Sequence, residues 1–202
     1  MTKHEIRSAM KRFLATQSDQ DLHRRSLAAC DKLMATDEFK NARTIMIYMS
    51  MPREVETHTL AVQAWRDGKS IAVPRVEWGL VEGGRMEAVE IRSLDVGMQM
   101  SGPGIRQPID SRVILPGEID MVVVPGLGFD RCGGRVGRGG GFYDRFLSRG
   151  EGQDFRGVRC ALCFHEQLLT EAVPCEPHDV AMDMIVTDQD IVRCAINTEF
   201  TL

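Results

Sequence analysis

The run MVVV at 121–124, closed by Pro125, constrains the fold more than any other stretch. A strand with one face in water alternates apolar and polar residues. One that is apolar at every position must be covered on both faces. Consecutive valines add β-branched stiffness that suits extended backbone. The run therefore predicts a central strand with other elements packed above and below it. Four residues are far too few to cross a bilayer.

The rest of the chain alternates between two periods. Thr2 and Glu5 have capping-box spacing, and Ile6, Met10, Phe13 and Leu14 then recur on one helical face. Ser18 or Asp19 can cap a second helix to about Met34, with Leu22, Leu27 and Leu33 among its apolar positions. TIMIYMS (44–50) and SIAVP (70–74) predict strands. Between them Thr57 opens a helix through Trp65, which Gly68 ends as a left-handed cap. A short helix is expected from about Phe142 to Ser148, and VRCALCF (158–164) and MDMIVTD (182–188) predict the last strands. Residues 75–120 signal less. MEAVEI alternates weakly, and SGPGIRQP (101–108) predicts a Gly/Pro-rich loop. Strands alternating with helices predict an α/β sandwich with a mostly parallel sheet. With 202 residues, no internal repeat and no linker, one domain over 1–202 is expected.

Composition sets limits on partners. A formal net charge of -4 gives no general attraction to nucleic acid or anionic membrane, so an anion site must be a local basic cluster. The start, MTKHEIRSAMKRF, is too charged for a secretory leader. Six scattered cysteines show no framework spacing, and free thiols in a reducing cytoplasm are the simplest reading. Cys160 and Cys163 form a lone C-x-x-C within a predicted strand. Their offset of three puts them on opposite faces, which favours core residues over a zinc or redox pair.

One glycine cluster, GRVGRGGGFYDRFL (134–147), follows the buried strand. Glycine permits positive φ and close backbone approach, and successive N–H groups in such turns form an anion-binding nest. Arg131, Arg135 and Arg138 can grip phosphate oxygens. Neither G-x-x-x-x-G-K-[ST] nor G-x-G-x-x-G occurs, and a flexible surface turn is the plain alternative. The place after a buried strand favours phosphate, because ligands of open α/β sheets bind at the carboxyl ends of strands. Asp144 is either a favourable helix-start carboxylate or a Mg²⁺ ligand beside that phosphate. Lys3, Arg7 and Lys11 line one helical face, either as a solvated stripe or as a second phosphate grip. His178, Asp179 and Asp183 cluster in PCEPHDVAMDMIVTD (174–188). Asp179 could complete a metal site, or His178–Asp179 could be an acid/base pair. Arg53 and Glu54 sit at the carboxyl end of a predicted strand, where Glu54 could bond a substrate, while Glu56 could serve only the next helix. No G-x-S-x-G or H-E-x-x-H occurs.

These residues resemble the 5-formyltetrahydrofolate cyclo-ligase family. Lys3-x-x-x-Arg7, S-M-x-x-E-V-E-T (50–57), G-I-x-x-P (104–108), VVPGLGFD (123–130), the glycine signature and PHD-x-x-x-D (177–183) stand in the family's order. The resemblance implies a three-layer α/β sandwich with a mostly parallel sheet, related to sugar-phosphate isomerases and CoA transferases. It implies a single cyclo-ligase domain, expected here as a cytoplasmic monomer. The implied reaction turns ATP and 5-formyltetrahydrofolate into 5,10-methenyltetrahydrofolate, ADP and phosphate, with Mg²⁺ required, through attack of the formyl oxygen on the γ-phosphate. By the same resemblance, Lys3 and Arg7 contact ATP phosphates. The nucleotide loop is Arg135, Val136, Gly137, Arg138, Gly139, Gly140, Gly141, Phe142 and Tyr143. Arg138 lies near the transferred phosphoryl and Tyr143 against the substrates. Asp144 and Asp179 match Mg²⁺ ligands, and Met49 and Glu54 match folate contacts. Phe142 stands where Tyr is common, and Gly140 where some members carry Lys. Two other readings remain: a non-catalytic folate- or nucleotide-binding module of the same fold, and a sugar-phosphate isomerase by fold analogy alone.

Overall fold

The computed structural model describes residues 1–77, 84–101, 105–109, 111–148 and 155–194. Two long helices open the chain, α1 (Lys3–Thr16) and α2 (Asp19–Ala35), followed by the short α3 (Asp37–Asn41). Then come β1 (Thr44–Met46), α4 (His58–Arg66), β2 (Ser70–Glu77), β3 (Arg85–Ile91), β4 (Met98–Ser101), β5 (Ile105–Pro108) and β6 (Val113–Ile114). The second half carries β7 (Met121–Val124), β8 (Gly128–Asp130), β9 (Arg135–Val136), α5 (Phe142–Leu147), β10 (Val158–Leu162), β11 (Leu168–Leu169), β12 (Met184–Val186) and β13 (Ile191–Arg193).

The main sheet has eight strands in the order β13-β12-β10-β7-β1-β2-β3-β6. Its five middle strands, from β12 to β2, run parallel, and β13, β3 and β6 add antiparallel margins. MVVV is β7, held between β10 and β1, with all four residues fully buried. Period-two geometry splits the strands between two cores. Ile45, Ile71, Met121, Val123 and Cys160 join one cluster, with Leu14 of α1, Leu33 of α2 and Leu60 of α4. Met46, Ala72, Val122, Val124 and Ala161 join the other, with Leu147 of α5 and Phe155. Cys160 and Cys163 fall in opposite clusters, as their offset requires, and burial pushes both thiols up.

The capping box at Thr2–Glu5 forms, and Ser18 caps α2 through the Asp21 N–H. Leu27, predicted among the apolar positions of α2, is exposed instead, since the buried face runs through Leu22, Ser26, Ala29, Cys30 and Leu33. The sequence pattern gave no sign of α3. Thr36 ends α2 and starts α3, its hydroxyl accepting from the Phe39 N–H at 3.2 Å.

The stretch 101–108 was expected as a loop and is largely a hairpin. Met98–Ser101 pairs antiparallel with Ile105–Pro108, and the Gly/Pro cluster occupies only the positions between them, of which 102–104 lie outside the described residues. The Gln107 side chain accepts from the Val76 N–H at 3.1 Å and ties the hairpin to β2. Likewise β2 runs past Pro74 to Glu77, because β3 pairs with it from Ile71 to Glu77. The glycine-rich stretch is not all loop. β8 and β9 pair antiparallel, with β11 alongside.

Candidate functional site

The small sheet seats the first helix. Ile6 is buried against Val136 and Val173, and a Cβ at Gly128 would stand 2.9 Å from the Ile6 Cγ2. Gly128 therefore leaves the room that α1 occupies, and the first turn of α1 lies at the mouth of the glycine loop. Arg7 Nε donates to the Gly137 carbonyl at 2.8 Å. Lys3 Nζ donates to Asp179 Oδ2 at 2.6 Å and lies 3.3 Å from Glu176 Oε1. Lys11 is exposed, so the basic stripe divides into two site residues and one solvated one.

Asp130 shapes the turn between β8 and β9. Its Oδ1 accepts from the Cys132 and Gly134 N–H groups at 2.8 and 2.9 Å, and its Oδ2 from the Val173 N–H at 2.6 Å. After β9 the chain turns through Gly139 (φ 109°) and Gly141 (φ 63°) into α5, backbone that a Cβ would strain. Arg135 points inward from β9. Its Nη2 bonds both oxygens of Asp144 at 2.8 Å, and its Nη1 donates to the Pro125 carbonyl at 3.3 Å. Its guanidinium also lies 5.8 Å from the Tyr143 ring centre. Asp144 Oδ1 accepts in addition from the Val180 N–H at 3.3 Å, which brings the neighbouring Asp179 to the same wall.

The third contribution follows β1. Residues 51–54 form a turn in which Glu54 N–H donates to the Met51 carbonyl at 3.1 Å. Glu54 Oε2 accepts from the Met51 N–H at 3.0 Å, and Oε1 accepts from Arg138 Nε at 2.9 Å. The carboxylate thus crosses from the β1 turn to the glycine loop.

Between these parts lies a cavity of about 380 Å³, of the size expected for small-molecule sites. Lys3, Arg7, Met49 and Glu54 line it from the first half of the chain. Arg135, Gly137, Arg138 and the residues 139–144 line it from the loop, and Asp179 from beyond β11. Of the residues the resemblance assigned, Val136 alone does not, being buried under Ile6, and of the loop's arginines Arg131 does not. Tyr48, Pro74, Val76, Met86 and Pro125 supply walls that the sequence did not mark. They look like ordinary core residues, and only the ends of β1, β2 and β7 and the start of β3 could have flagged them. Glu176 was also missed, and its nearness to Lys3 is visible only in three dimensions.

A family model described as "5-formyltetrahydrofolate cyclo-ligase family" matches residues 1–188. The chain belongs to this family. A 5-formyltetrahydrofolate cyclo-ligase of Mus musculus is 30% identical over 191 residues, covering 91% of this chain and 92% of that protein. One of Escherichia coli (strain K12) is 28% identical over 187 residues, covering 90% and 96%. The solved structure of an Aquifex aeolicus 5,10-methenyltetrahydrofolate synthetase superposes with TM-score 0.81 at 24% identity, covering 100% of this chain and 97% of that one. That last likeness speaks for the fold.

Charge at the cyclo-ligase cavity is paired almost throughout. Burial alone would lower Lys3, but Asp179 and Glu176 outweigh it and hold the ammonium above its ordinary range. Burial would raise Asp179, yet the Lys3 ammonium and the Glu176 N–H hold its carboxyl below the usual value. Burial pushes the Tyr143 phenol well up, Glu54 adds to this and Arg135 partly offsets it, so the phenol is a neutral donor at physiological pH.

His178 lies 3.2 Å from Glu176 and 4.0 Å from Asp179, so the exposed imidazole faces the glutamate more closely than its predicted partner. Asp183 is taken up by Arg159 in a bidentate pair. Among the described residues no group of three or more His, Cys, Asp or Glu is arranged to hold a metal. Asp144 and Asp179 both line the cavity, and Mg²⁺ needs only one or two carboxylates when phosphates and water supply its other ligands.

Proposed function

We propose that the chain is a 5-formyltetrahydrofolate cyclo-ligase, which uses ATP to close 5-formyltetrahydrofolate to 5,10-methenyltetrahydrofolate with release of ADP and phosphate. The observation that carries the reading is one cavity lined both by a phosphate-type glycine loop with Lys3 and Arg7 and by Glu54 and Met49 from the segment after β1. An amide oxygen is a poor leaving group, and phosphorylation makes it a good one. The formyl oxygen attacks the γ-phosphate and ADP leaves. N10 of the folate then attacks the activated carbon, the ring closes and phosphate departs.

Such chemistry needs positioning and charge stabilisation more than a protein nucleophile. Lys3 and Arg7 hold ATP phosphates above the glycine backbone, and Arg138 meets charge on the transferred phosphoryl. Glu54 and Met49 orient the folate, and Tyr143 closes against the substrates as a neutral phenol. Arg135 acts through Asp144, keeping that carboxylate beside Asp179, and Val136 seats α1. Asp144 and Asp179 would hold Mg²⁺, which when bound neutralises and orients the phosphates. We further assign the chain a single domain in a three-layer sandwich of the sugar-phosphate isomerase and CoA-transferase kind, working as a cytoplasmic monomer. No described helix is long and apolar enough to cross a membrane.

The test is direct. Mg-ATP and 5-formyltetrahydrofolate are mixed with folded protein and the methenyl absorbance is followed. A steady rise is expected, and a flat trace would end the proposal.

A further inference from the structure

Arg53 is the only non-glycine residue among those described with positive φ, at 71°. It is the third residue of the Met51–Glu54 turn, which the Glu54 N–H to Met51 carbonyl bond closes. Pro52 cannot adopt positive φ, so the turn is type II, with Pro in its favoured second place and Arg where glycine is favoured. A side chain held in this region is strained, and such strain persists only where the surroundings enforce it. The surroundings are visible. Arg53 Nη1 donates to the Gln17 carbonyl at 2.6 Å, and the same nitrogen lies 3.0 Å from Asp19 Oδ1. Gln17 is the residue that ends α1, and Asp19 begins α2. The next residue after Arg53 is Glu54, whose carboxylate faces the cavity and holds Arg138.

We propose that Arg53 is a positioning residue for folate recognition: its tether to the α1–α2 junction fixes the type II turn that aims Glu54. The inference rests on the reading of Glu54 as a folate contact. Alanine at position 53 would cut the tether and leave at positive φ a side chain that resists it, with nothing to enforce the type II form. The turn then samples other forms, and only the fraction with Glu54 aimed correctly binds. Apparent affinity falls by that fraction, while the bound complex is unchanged. The signature is a rise in KM without a fall in kcat.

The experiment compares Arg53→Ala, Arg53→Lys and Glu54→Ala at saturating Mg-ATP, with binding of 5-formyltetrahydrofolate alone followed by calorimetry. Arg53→Ala is expected to raise KM and Kd for the folate roughly three- to tenfold, with kcat within about twofold of native. Arg53→Lys, which keeps a donor in reach of the Gln17 carbonyl, should recover most of the loss. Glu54→Ala should weaken the folate more than either. If Glu54→Ala weakens the folate and Arg53→Ala does not, the positioning role fails and the Glu54 reading stands. A common fall of kcat and melting temperature in Arg53→Ala, with Kd unchanged, would make Arg53 merely structural. Unchanged folate binding in Glu54→Ala would overturn both ideas.

Discussion

Two ion pairs flank the same glycine loop and differ in kind. Arg135–Asp144 is enclosed, with side chains 6% and 14% exposed, and Arg135 is further held by the Pro125 carbonyl. Arg138–Glu54 is open on its cationic side, with Arg138 42% exposed. A buried pair costs desolvation and is destabilised severely when one partner is lost. An open pair is worth little to the fold and can exchange partners. The first pair therefore builds the site, and the second is free to trade its protein contacts for substrate.

The largest expected effect breaks the enclosed pair. Arg135→Ala should cost about 3–5 kcal/mol of stability, seen in chemical denaturation, because it strands Asp144. Loss below about 1 kcal/mol would show that water already reaches the pair. Asp144→Asn keeps an oxygen to accept from Arg135 and should leave the protein folded, while turnover falls about 100- to 1,000-fold. Near-normal turnover would remove Asp144 from the metal site.

On the open side, Arg138→Ala should cost less stability than Arg135→Ala, since Arg138 is itself exposed and Glu54 keeps the Met51 N–H, and should lower kcat about 100-fold at saturating substrates. Equal losses of stability in the Arg135 and Arg138 variants would erase the contrast. Lys3→Ala should raise the KM for ATP about tenfold, the weight of one charge-assisted contact, with kcat near native. An unchanged ATP dependence would leave Lys3 as a partner of Asp179 and Glu176 alone.

The smallest effect is on pH. Asp179 is held below its ordinary 3.8, so the stability it contributes is present above that value and lost as pH falls through its lowered folded pKa. Lys3 is held above 10.5, so its share is complete below that value and lost as pH rises through its raised folded pKa. Stability from the pair should be flat between those limits. Acid titration of Asp179 by NMR should shift upward in Lys3→Ala, and an unshifted curve would deny the pairing.

Much of the cavity was legible because its chemistry needs unusual sequence. Eight glycines between 126 and 141, three arginines among them and an Asp at 144 have few structural explanations in common. The apolar walls were not legible, since Tyr48, Val76 and Met86 have the same composition as core residues and become walls only at strand ends. The hairpin at 98–108 was hidden because glycine and proline mark the turn but not the strands beside it. Arg53 was noted by position alone. Its tether to Gln17 joins residues 36 apart and leaves no periodic trace.

By itself the sequence determined the buried central strand, the alternation of strands and helices and the family, because these rest on local period and composition. Only the tertiary structure decided which charges meet. It set Lys3 on Asp179 across 176 residues, Arg138 on Glu54 across 84, and left Lys11 in solvent. Helical spacing treats Lys3, Arg7 and Lys11 alike. Their different fates follow from where Ile6 seats the helix on Gly128 and Val136, a long-range packing fit that no local pattern encodes.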